Sequence, residues 1–575
     1  MRRLRVLGLG LKPDPKPLSK PVQSLYQSLS PSKTPLATDR VQLLARLDGS
    51  EEFDLVIIGG GATGLGVAVD ASVRGLKVLL LEAQDFAKGT SSRSTKLVHG
   101  GVRYLAHGHL PLVLEALNER RNLLLNAPHL AHAMPFVMPA YRRFDQWFYG
   151  LGLKLYGLLA GRSGLGATRF LNLRETLAAS PGLQDQNCVG GVVYWDGQFD
   201  DARLALALAR TAAAHGALLI NHMPVKALSL DHSTGRIKGL VCTDSETGLD
   251  HAVKARCVVN ATGVWVDQIE AMLLESPITE NKRPHAVRPS QGVHLVVDAS
   301  FWPGESALLV PHTQDGRVLF AVPWQAKVLL GTTDTPLNQV SWEPQALESE
   351  IDQILMEAAK YLVKPPRRMD VRSVWAGLRP LAVVGAQNTQ GATQKVSREH
   401  TIKVTSHNLI SVTGGKWTTY RAMAADVMQT IRAEKLLSLT SEDVTVRTPL
   451  WGAPKETTNS KATHLKQGPN EVIDTDGAYQ AYGTDGPLLA TLPGADRWLA
   501  TGLSEAMVRF AARYEYARTV EDVLARRNRM LFLDAQAALA VAPDVAGILE
   551  AETGVSAQLP AFETLAKGYQ IRPRD

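Results

Sequence analysis

Several features are scarce in this 575-residue chain, and each absence narrows what the protein can be. The three cysteines, Cys188, Cys242 and Cys257, form no C-x-x-C pair. Their number and spacing argue against a disulfide scaffold or a cysteine metal site and favour a reducing compartment. The chain has no apolar run of about 18 residues, so a membrane-spanning helix is not expected. The N-terminus lacks the apolar core of about 7 to 15 residues that marks a secretory signal.

The formal net charge of +6 is concentrated at the N-terminus. Residues 1–50 contain nine Lys/Arg and three Asp/Glu, whereas the rest of the chain contains 53 residues of each sign. Because the folded body is neutral overall, its charge gives no support to nucleic-acid binding. The same 50 residues are rich in proline and serine and are expected to form a mostly disordered extension. Their early arginines leave organellar targeting open.

The segment WFYGLGLKLYGLLA, residues 147–160, is aromatic-rich and carries Lys154 as its single charge. This composition is typical of a helix lying on a membrane surface and also of a helix buried in a core. The second case is the more common one, so a buried helix is expected here. Membrane contact, where it occurs, would then be peripheral.

The strongest positive signal is FDLVIIGGGATGLGVAVDASVRGLKVLLLE, residues 53–82. A short apolar strand is followed by glycines in G-x-G-x-x-G spacing, a helix, a second strand and an acid. In such a unit the glycines form a tight turn, let backbone N–H groups approach a pyrophosphate and let the helix pack on the strand. The acid accepts hydrogen bonds from a ribose hydroxyl. The residues assigned to this nucleotide-binding turn are Gly59, Gly61, Ala62, Thr63, Gly64 and Glu82.

Further strands that suit the nucleotide-binding sheet occur far along the chain, at residues 218–221, 257–260 and 409–412. The nucleotide-binding domain is therefore expected to be discontinuous. Asp200 and Asp201 precede an amphipathic stretch and are expected to form its N-cap and first helical turn.

Between about residues 285 and 405, alternating strands and short turns predict an antiparallel sheet that covers the cofactor and forms the substrate chamber. Asp315-Gly316 is a strong hairpin signal within it. Residues 446–480 are polar and predict a linker or loop, and helical periodicity returns over residues 481–575. There Thr519-x-x-Asp522 resembles a capping box, and the interspersed arginines are expected on a solvated or interdomain face.

TSSRSTKLVHGGVRYL, residues 90–105, combines small, basic and glycine residues unusually densely. Small hydroxyl side chains can reach phosphate or flavin-ring atoms, and paired glycines allow the backbone to approach a flat ring. The segment is therefore expected to contact a cofactor, with the side chains of His99, Arg103 and Tyr104 projecting into a site.

These blocks occur in one order with DDARL, NATGVWVD, RPSQGVHLVV, LLGTTDT, AGLRPL and GGKWTTYRAMA, and over residues 53–450 the chain resembles the FAD-dependent glycerol-3-phosphate dehydrogenases. YEYARTVEDVLARRNRM is similar to the helical domain of that family. The resemblance implies an α/β fold with a discontinuous Rossmann-like FAD-binding domain, an antiparallel-sheet substrate domain and a C-terminal helical domain. Residues 51–445 would then form the FAD-dependent oxidoreductase region, with the helical domain at 481–575.

The resemblance further implies oxidation of sn-glycerol 3-phosphate to dihydroxyacetone phosphate. FAD would accept the hydride and a membrane quinone would reoxidise it. The expected location is the inner face of the cytoplasmic membrane, through peripheral contact with anionic lipid. A homodimer is compatible with the resemblance, although the sequence does not fix the oligomeric state.

The resemblance also assigns roles to individual residues. Arg379 and Arg398 bind the substrate phosphate, since a planar guanidinium suits an oxyanion, and Arg103 and Tyr104 close the site. The general base is His99 or His294, between which the sequence does not choose. Lys416 stabilises negative charge on substrate oxygen or reduced flavin. The further residues expected to contact FAD are Thr90, Ser91, Ser92, Lys96, His99, Gly100, Gly101, Ala261, Thr262, Gly263, Gly414, Gly415, Lys416 and Thr418.

Other functions remain as alternatives. A glycerol-3-phosphate oxidase would share the fold and the substrate motifs but pass electrons to oxygen. An amine- or amino-acid-oxidising relative would use the same nucleotide unit, although two arginines favour a phosphate over a carboxylate. A non-catalytic flavoprotein whose basic tail binds RNA belongs to a different class, and the neutral body argues against it.

Overall fold

The fold is taken from a computed structural model, which describes residues 38–50, 52–102, 105, 109–274, 285–311, 318–383, 400–439, 444–454 and 479–571. Its helices are α1 (Arg40–Asp48), α2 (Ala62–Val73), α3 (Leu110–Asn126), α4 (Arg143–Ala160), α5 (Leu173–Ala179), α6 (Asp201–Ala214), α7 (Val266–Ala271), α8 (Glu348–Ala358), α9 (Tyr420–Ala433), α10 (Gly486–Leu489), α11 (Glu505–Tyr514), α12 (Met530–Leu533), α13 (Ala535–Thr553) and α14 (Leu559–Lys567).

The strands are β1 (Phe53–Ile58), β2 (Val78–Leu81), β3 (Leu97–Val98), β4 (Ala131–Ala140), β5 (Arg169–Leu171), β6 (Gly190–Phe199), β7 (Leu218–Ile220), β8 (Val225–Leu230), β9 (Ile237–Thr243), β10 (Asp250–Asn260), β11 (Val287–Asp298), β12 (Ala307–Val310), β13 (Leu319–Trp324), β14 (Lys327–Gly331), β15 (Thr335–Pro336), β16 (Val371–Ala382), β17 (Thr401–Val404), β18 (Leu409–Thr413), β19 (Trp498–Ala500) and β20 (Leu503–Ser504).

A parallel sheet forms the nucleotide-binding half of the molecule. Its order is β17-β18-β10-β1-β2-β7, and the pairs from β18 to β7 are parallel. Strands β8 and β9 extend β10 as an antiparallel hairpin. Because central parallel strands are covered on both faces, β2 and nearly all of β1 are buried. The predicted discontinuous domain is confirmed, since its strands come from residues 53 to 413.

A second, mostly antiparallel sheet has the order β15-β11-β14-β13-β12-β4-β6-β3, with β16 on β11 and β5 on β6. Among the described strands of this second sheet, only β12 and β4 pair in parallel. The sheet extends beyond the predicted range of about 285 to 405, because β3 to β6 come from residues 97–199. Strands β12 and β13 pair as the predicted hairpin, although its Asp315-Gly316 turn lies outside the described residues.

The C-terminal part is helical and packs on the second sheet through an apolar cluster that includes Trp375 and Phe532. The predicted capping box is present: Thr519 Oγ1 accepts the Asp522 N–H at 3.2 Å, and the Asp522 carboxylate accepts the Thr519 N–H at 3.0 Å. The box precedes one turn of π-helix over residues 522–527.

The predicted disordered extension over residues 1–50 is wrong for its last part. Residues 40–48 form helix α1, because Arg40 is buried and donates to Asn221 O at 2.8 Å and to the Asp244 carboxylate. Thr38 bonds to the backbone of the C-terminal helical part. Residues 1–37 lie outside the described residues, as do residues 455–478 of the predicted linker.

Helix α4 contains the segment expected to be buried, and the structure corrects that expectation. One stripe of the helix packs inward, including Gly150, Leu153 and Tyr156. The opposite stripe is apolar and points to solvent, with six side chains between 45% and 76% exposed: Phe144, Trp147, Phe148, Leu151, Leu155 and Leu158. Among the described residues, no helix combines the length and the hydropathy that crossing a membrane requires.

Candidate active site

The glycine turn between β1 and α2 has the geometry of a nucleotide-binding turn. Gly59 has φ of 108°, and a Cβ on it would lie 2.7 Å from Ala261 O. A Cβ on Gly64 would lie 1.9 Å from Gly59 O, so only glycine lets α2 start this close to the strand. Helix α2 begins after Gly61, which has no side chain to cap it; Ser91 binds the Ala62 N–H, and the N–H groups that follow in the first turn point toward an anion site.

Glu82 lies at the end of β2, beside this turn. Its carboxylate accepts the Gly60 N–H at 2.6 Å and the Gln84 N–H at 2.9 Å. Burial raises the pKa of Glu82 despite these hydrogen bonds. The carboxylate is thus held next to the glycine turn, where a ribose hydroxyl of a bound dinucleotide would lie.

The loop over residues 90–92 connects several predicted site segments. Ser91 Oγ accepts the Ala62 N–H at 2.9 Å, and Ser91 O accepts the Trp417 indole N–H at 2.8 Å. Thr90 Oγ1 donates to Leu378 O, next to Arg379. The loop therefore brings the nucleotide turn, the segment after β18 and strand β16 together.

The segment His99-Gly100-Gly101 lies between the segment after β18 and helix α4. The His99 N–H donates to Thr418 Oγ1 at 3.3 Å, and His99 Nδ1 accepts the Gly101 N–H at 3.1 Å. The Gly100 N–H donates to Tyr156 Oη of α4 at 2.8 Å, and a Cβ on Gly100 would lie 2.5 Å from that oxygen. Gly100 is thus required by the close approach of α4.

Two strand ends complete the predicted cofactor contacts. After β10, Thr262 Oγ1 donates to Asn260 Oδ1 at 2.7 Å, Ala261 and Thr262 pack against Gly59, and Gly263 follows with a φ of 62°. After β18, Gly414 and Gly415 have φ of 76° and 80° and lead through Lys416 to a short turn that holds Thr418. A Cβ on Gly415 would lie 2.3 Å from Met423 Sδ.

Lys96 was predicted to contact the cofactor, but the structure places its side chain inside the protein. The side chain is fully buried, and Nζ donates to Ser92 O and to Asp201 Oδ2, both at 2.7 Å. The ammonium also lies 4.8 Å from the centre of the Trp375 ring. Burial and the neighbouring Arg529 lower the pKa of Lys96 to about 7. Lys96 therefore supports the loop from within the protein.

His294 and Arg379 lie on one face of the second sheet, because Ser290 pairs with Arg379 and His294 pairs with Trp375 in the β11–β16 register. Glycines let the two side chains lie close to the sheet: a Cβ on Gly292 would lie 2.3 Å from the Arg379 guanidinium, and one on Gly331 2.9 Å from the His294 ring. The guanidinium and the imidazole thus lie on one face of the sheet, over positions that carry no side chain.

Arg379 is held by a network that the sequence did not reveal. One guanidinium nitrogen donates to Asp334 Oδ1 at 3.0 Å, and the other donates to Thr332 Oγ1 at 3.1 Å and Thr333 O at 3.0 Å. The side chain remains 23% exposed, so the fork is fixed but reachable.

His294 is nearly fully buried and stacks on Trp375 with ring centres 4.2 Å apart. Burial, reinforced by the charges of Lys96 and Arg379, holds the pKa of His294 well below its ordinary value. Its Nδ1 is buried without a hydrogen-bond partner among the described residues. A neutral imidazole with a free nitrogen is the form that can accept a proton.

Three residues predicted to form the site, Arg103, Tyr104 and Arg398, lie outside the described residues.

Two acidic residues, Asp201 and Asp334, support the site, although neither was predicted to have a role in it. Asp201 was expected to begin a helix, which it does, but its buried carboxylate also holds Ser94 and Lys96. Asp334 had a weak signal, since it belongs to the quoted block LLGTTDT.

Comparison with known proteins identifies the family of the chain. The model of the family described as FAD dependent oxidoreductase matches residues 54–421, and that of the C-terminal domain of alpha-glycerophosphate oxidase matches residues 443–559. The mitochondrial glycerol-3-phosphate dehydrogenase of Arabidopsis thaliana is 39% identical, over 91% of this chain and 86% of that protein.

Two solved structures are similar as well. The glycerol-3-phosphate dehydrogenase from Bacillus halodurans complexed with FAD superposes with a TM-score of 0.73 at 28% identity, over 92% of this chain and 98% of that one. The L-alpha-glycerophosphate oxidase from Mycoplasma pneumoniae has a TM-score of 0.51 at 18% identity, over 68% of this chain and 97% of that one, and shares the fold. With a matching family model over most of its length and relatives near 40% identity, the chain belongs to the FAD-dependent glycerol-3-phosphate dehydrogenase family.

Proposed function

We propose that this protein oxidises sn-glycerol 3-phosphate to dihydroxyacetone phosphate with FAD and passes the electrons to a membrane quinone. The observation that carries the proposal is the pairing of the Arg379 guanidinium with the neutral His294 on one glycine-lined face of the second sheet. A phosphate ester needs a fixed cation, and a secondary alcohol needs a base for its hydroxyl proton. That face supplies both, next to the loop that reaches the nucleotide turn.

The chain's residues fit the cofactor. The Gly59 and Gly64 positions cannot hold a side chain, and the start of α2 offers N–H groups to a pyrophosphate. Glu82 would hold the adenosine ribose, and the turn over residues 414–416 would face the flavin. FAD, when bound, supplies the acceptor of the hydride from C2 of the substrate.

Of the two candidate bases, His294 is the better placed. His99 Nδ1 already accepts the Gly101 N–H, whereas His294 Nδ1 has no partner among the described residues. With its pKa held below the ordinary value, His294 is neutral at pH 7 and accepts the C2 hydroxyl proton as the hydride leaves. Arg379 binds the phosphate, and Lys416 stabilises negative charge that develops on the substrate oxygen.

Anaerobic mixing of the purified holoenzyme with sn-glycerol 3-phosphate tests cofactor, substrate and reaction together. Flavin absorbance near its long-wavelength maximum should bleach in a single turnover, with one equivalent of dihydroxyacetone phosphate formed. Glycerol, which lacks the phosphate, is the matched control and should bleach the flavin far more weakly. Bleaching by amino acids but not by glycerol 3-phosphate would contradict the proposal.

The electron acceptor separates the proposed dehydrogenase from the alternative oxidase. Rapid reoxidation of the reduced enzyme by a short-chain quinone, with negligible hydrogen peroxide in air, supports the quinone. Fast reoxidation by oxygen with stoichiometric peroxide would instead favour a glycerol-3-phosphate oxidase.

The outward face of α4 supports peripheral membrane contact. Its six exposed apolar side chains recur at helical spacing over residues 144–158, and Arg142, Arg143 and Lys154 lie exposed around them. Tyr141, at the start of the helix, is 6.0 Å from the Tyr361 ring, next to a second group of exposed apolar and basic residues over residues 356–369. Apolar side chains rimmed by cations fit the interface of an anionic bilayer.

Flotation with vesicles of phosphatidylcholine, with and without phosphatidylglycerol, tests this surface. The variant Trp147→Glu/Leu151→Glu should lose vesicle binding and quinone reduction in vesicles but keep turnover with a soluble acceptor. Val41→Glu, on α1 at 76% exposure, is the matched control. If the double variant binds vesicles normally but a dimer becomes a monomer by light scattering, the face is a subunit interface and the membrane proposal fails.

Location and organisation follow from the same proposal. We place the protein on the inner face of the cytoplasmic membrane, with organellar targeting by residues 1–50 as the alternative, and fractionation of cells that express a tagged chain distinguishes the two. Residues 51–445 would form the oxidoreductase region, joined through residues 446–480 to the helical region at 481–575. Limited proteolysis of the holoenzyme should cut first within residues 446–480.

A further inference from the structure

Thr95 contacts the histidine to which the base role is assigned. Its Oγ1 lies 2.9 Å from His294 Nε2, while His294 Nδ1 is buried without a partner among the described residues. A neutral imidazole carries one proton and a threonine hydroxyl can donate or accept, so the contact fits either tautomer, and a proton on Nε2 would leave Nδ1 able to accept another. The contact with Thr95 therefore bears directly on which atom of His294 can act as a base.

The loop that carries Thr95 is fixed by a single carboxylate. Asp201 Oδ2 accepts the Ser94 N–H at 3.1 Å, the Ser94 hydroxyl at 2.7 Å and Lys96 Nζ at 2.7 Å. Both neighbours of Thr95 are thus bound to one fully buried group. Arg529 closes the arrangement, since it lies 3.3 Å from Asp201 and donates to Ser92 O at 2.7 Å.

The plane of the His294 ring is fixed independently of Thr95. The ring stacks on Trp375 at an interplanar angle of 20°, and its Cδ2 edge lies where a Cβ on Gly331 would approach to 2.9 Å. These neighbours fix the orientation of the ring, and Thr95 can then determine which ring nitrogen carries the proton.

We propose that Thr95 is a positioning residue: it accepts the Nε2–H of His294 and so leaves Nδ1 to take the proton of the substrate's C2 hydroxyl. The inference rests on the proposed function, because Thr95 acts only through that proton transfer. In the step, the O–H bond breaks as Nδ1–H forms, the C2–H bond breaks as hydride passes to FAD, and C2 and its oxygen become a carbonyl. The alcohol is oxidised and FAD is reduced.

The charges around His294 determine the sign of the expected pH effect. Lys96 and Arg379 face the ring and disfavour the imidazolium, with Asp201, Arg529 and Asp334 paired behind them. A hydrogen bond from Nε2–H to Thr95 stabilises the imidazolium, so its loss lowers the pKa of His294 further. Admission of water to the site would have the opposite effect and return the pKa toward its ordinary value.

The test compares Thr95→Val, which keeps the shape but removes the hydroxyl, with Thr95→Ser, which keeps the hydroxyl. Anaerobic stopped-flow reduction of the holoenzyme by sn-glycerol 3-phosphate is followed from pH 5 to 9. Thr95→Val should lower the limiting rate roughly 10- to 100-fold, with FAD content and substrate affinity unchanged and the acidic limb displaced to lower pH. Thr95→Ser should stay within about threefold of the wild type.

A wild-type rate and pH profile in Thr95→Val would overturn the inference, as would an acidic limb displaced to higher pH. A measurement on the wild type does not depend on how a variant folds. In enzyme labelled with ¹⁵N-histidine, with His294→Asn as the reference sample for assignment, His294 should show a protonated Nε2 and an unprotonated Nδ1. The reverse tautomer contradicts the proposal. A wild type that glycerol 3-phosphate does not bleach would refute the proposed function instead.

Discussion

Replacement of Arg379 with methionine is the sharpest test of phosphate recognition. The guanidinium is held before substrate arrives, by Asp334, Thr332 Oγ1 and Thr333 O at 3.0 to 3.1 Å. Because these contacts fix the fork, little side-chain entropy is lost when a phosphate binds. Methionine keeps most of the aliphatic volume and removes the charge and its donors.

The size of the effect follows from the number of donors. The terminal N–H groups of Arg379 already donate to Gln291 O, Asp334, Thr332 and Thr333, so we count one charge-assisted hydrogen bond gained by the phosphate, which contributes about 1.5–3 kcal/mol. At about 1.4 kcal/mol per tenfold change, Arg379→Met should weaken glycerol 3-phosphate binding roughly 10- to 140-fold. Arg379→Lys keeps the charge without the fork and should fall between methionine and the wild type.

The assay is anaerobic titration of flavin reduction with glycerol 3-phosphate and, in parallel, with glycerol. Since glycerol has no phosphate, its weak reaction should change by less than about threefold in Arg379→Met. The variant also leaves the Asp334 carboxylate without this partner, so Arg379→Met/Asp334→Asn separates that local effect from phosphate binding. Unchanged affinity for glycerol 3-phosphate, or an equal loss with both alcohols, would refute the role of Arg379.

Three further changes test the fold around the site. Burial would raise the pKa of Asp85, but its ion pairs with Arg527 and Arg526 lower it below its unfolded value. Asp85→Asn should therefore lower the free energy of unfolding by about 3–5 kcal/mol at pH 7. The difference in urea midpoint between wild type and variant should shrink as the pH falls below about 4, because Asp85 then becomes protonated in the wild type. Arg40→Met should lower the urea midpoint by removing a buried ion pair between α1 and the body. Gly100→Ala should reduce the FAD absorbance retained per protein, whereas Gly547→Ala, where a Cβ meets no atom within 4 Å, should retain it.

The nucleotide-binding half could be predicted because its signals are local. The requirement for glycine at Gly59 and Gly64 arises within one strand–turn–helix unit, so the spacing alone identifies it. The strand over residues 409–413 could be placed in the same sheet from its composition and the turn after it. Strand β6 of the second sheet could not be predicted in this way. It is buried on both faces, so its sequence does not alternate between apolar and polar residues as that of a half-exposed strand would.

The details of the candidate site depend on contacts between distant residues. Thr95 and His294 are 199 residues apart, and Lys96 and Asp201 are 105 apart, so no local spacing reveals that they meet. Helix α4 shows the same limit in a different form. Its apolar composition is compatible with burial or exposure, and tertiary contacts such as Tyr156 with Gly100 and Gly150 with Phe170 fix which stripe faces solvent.

The C-terminal helical part bears on the site through three nearby arginines. Arg526 and Arg527 pair with Asp85, three residues after the predicted ribose ligand Glu82. Arg529 reaches Ser92 O and Asp201, which fix the loop beside His294. One turn of the chain thus contacts both the segment after Glu82 and the loop beside His294, the two ends of the proposed cofactor site. Because both acids are buried, removing the helical part would leave Asp85 without its two arginine partners and Asp201 without Arg529, with Lys96 still bound to it. The helical part is therefore required for the geometry of the site as well as for the stability of the fold.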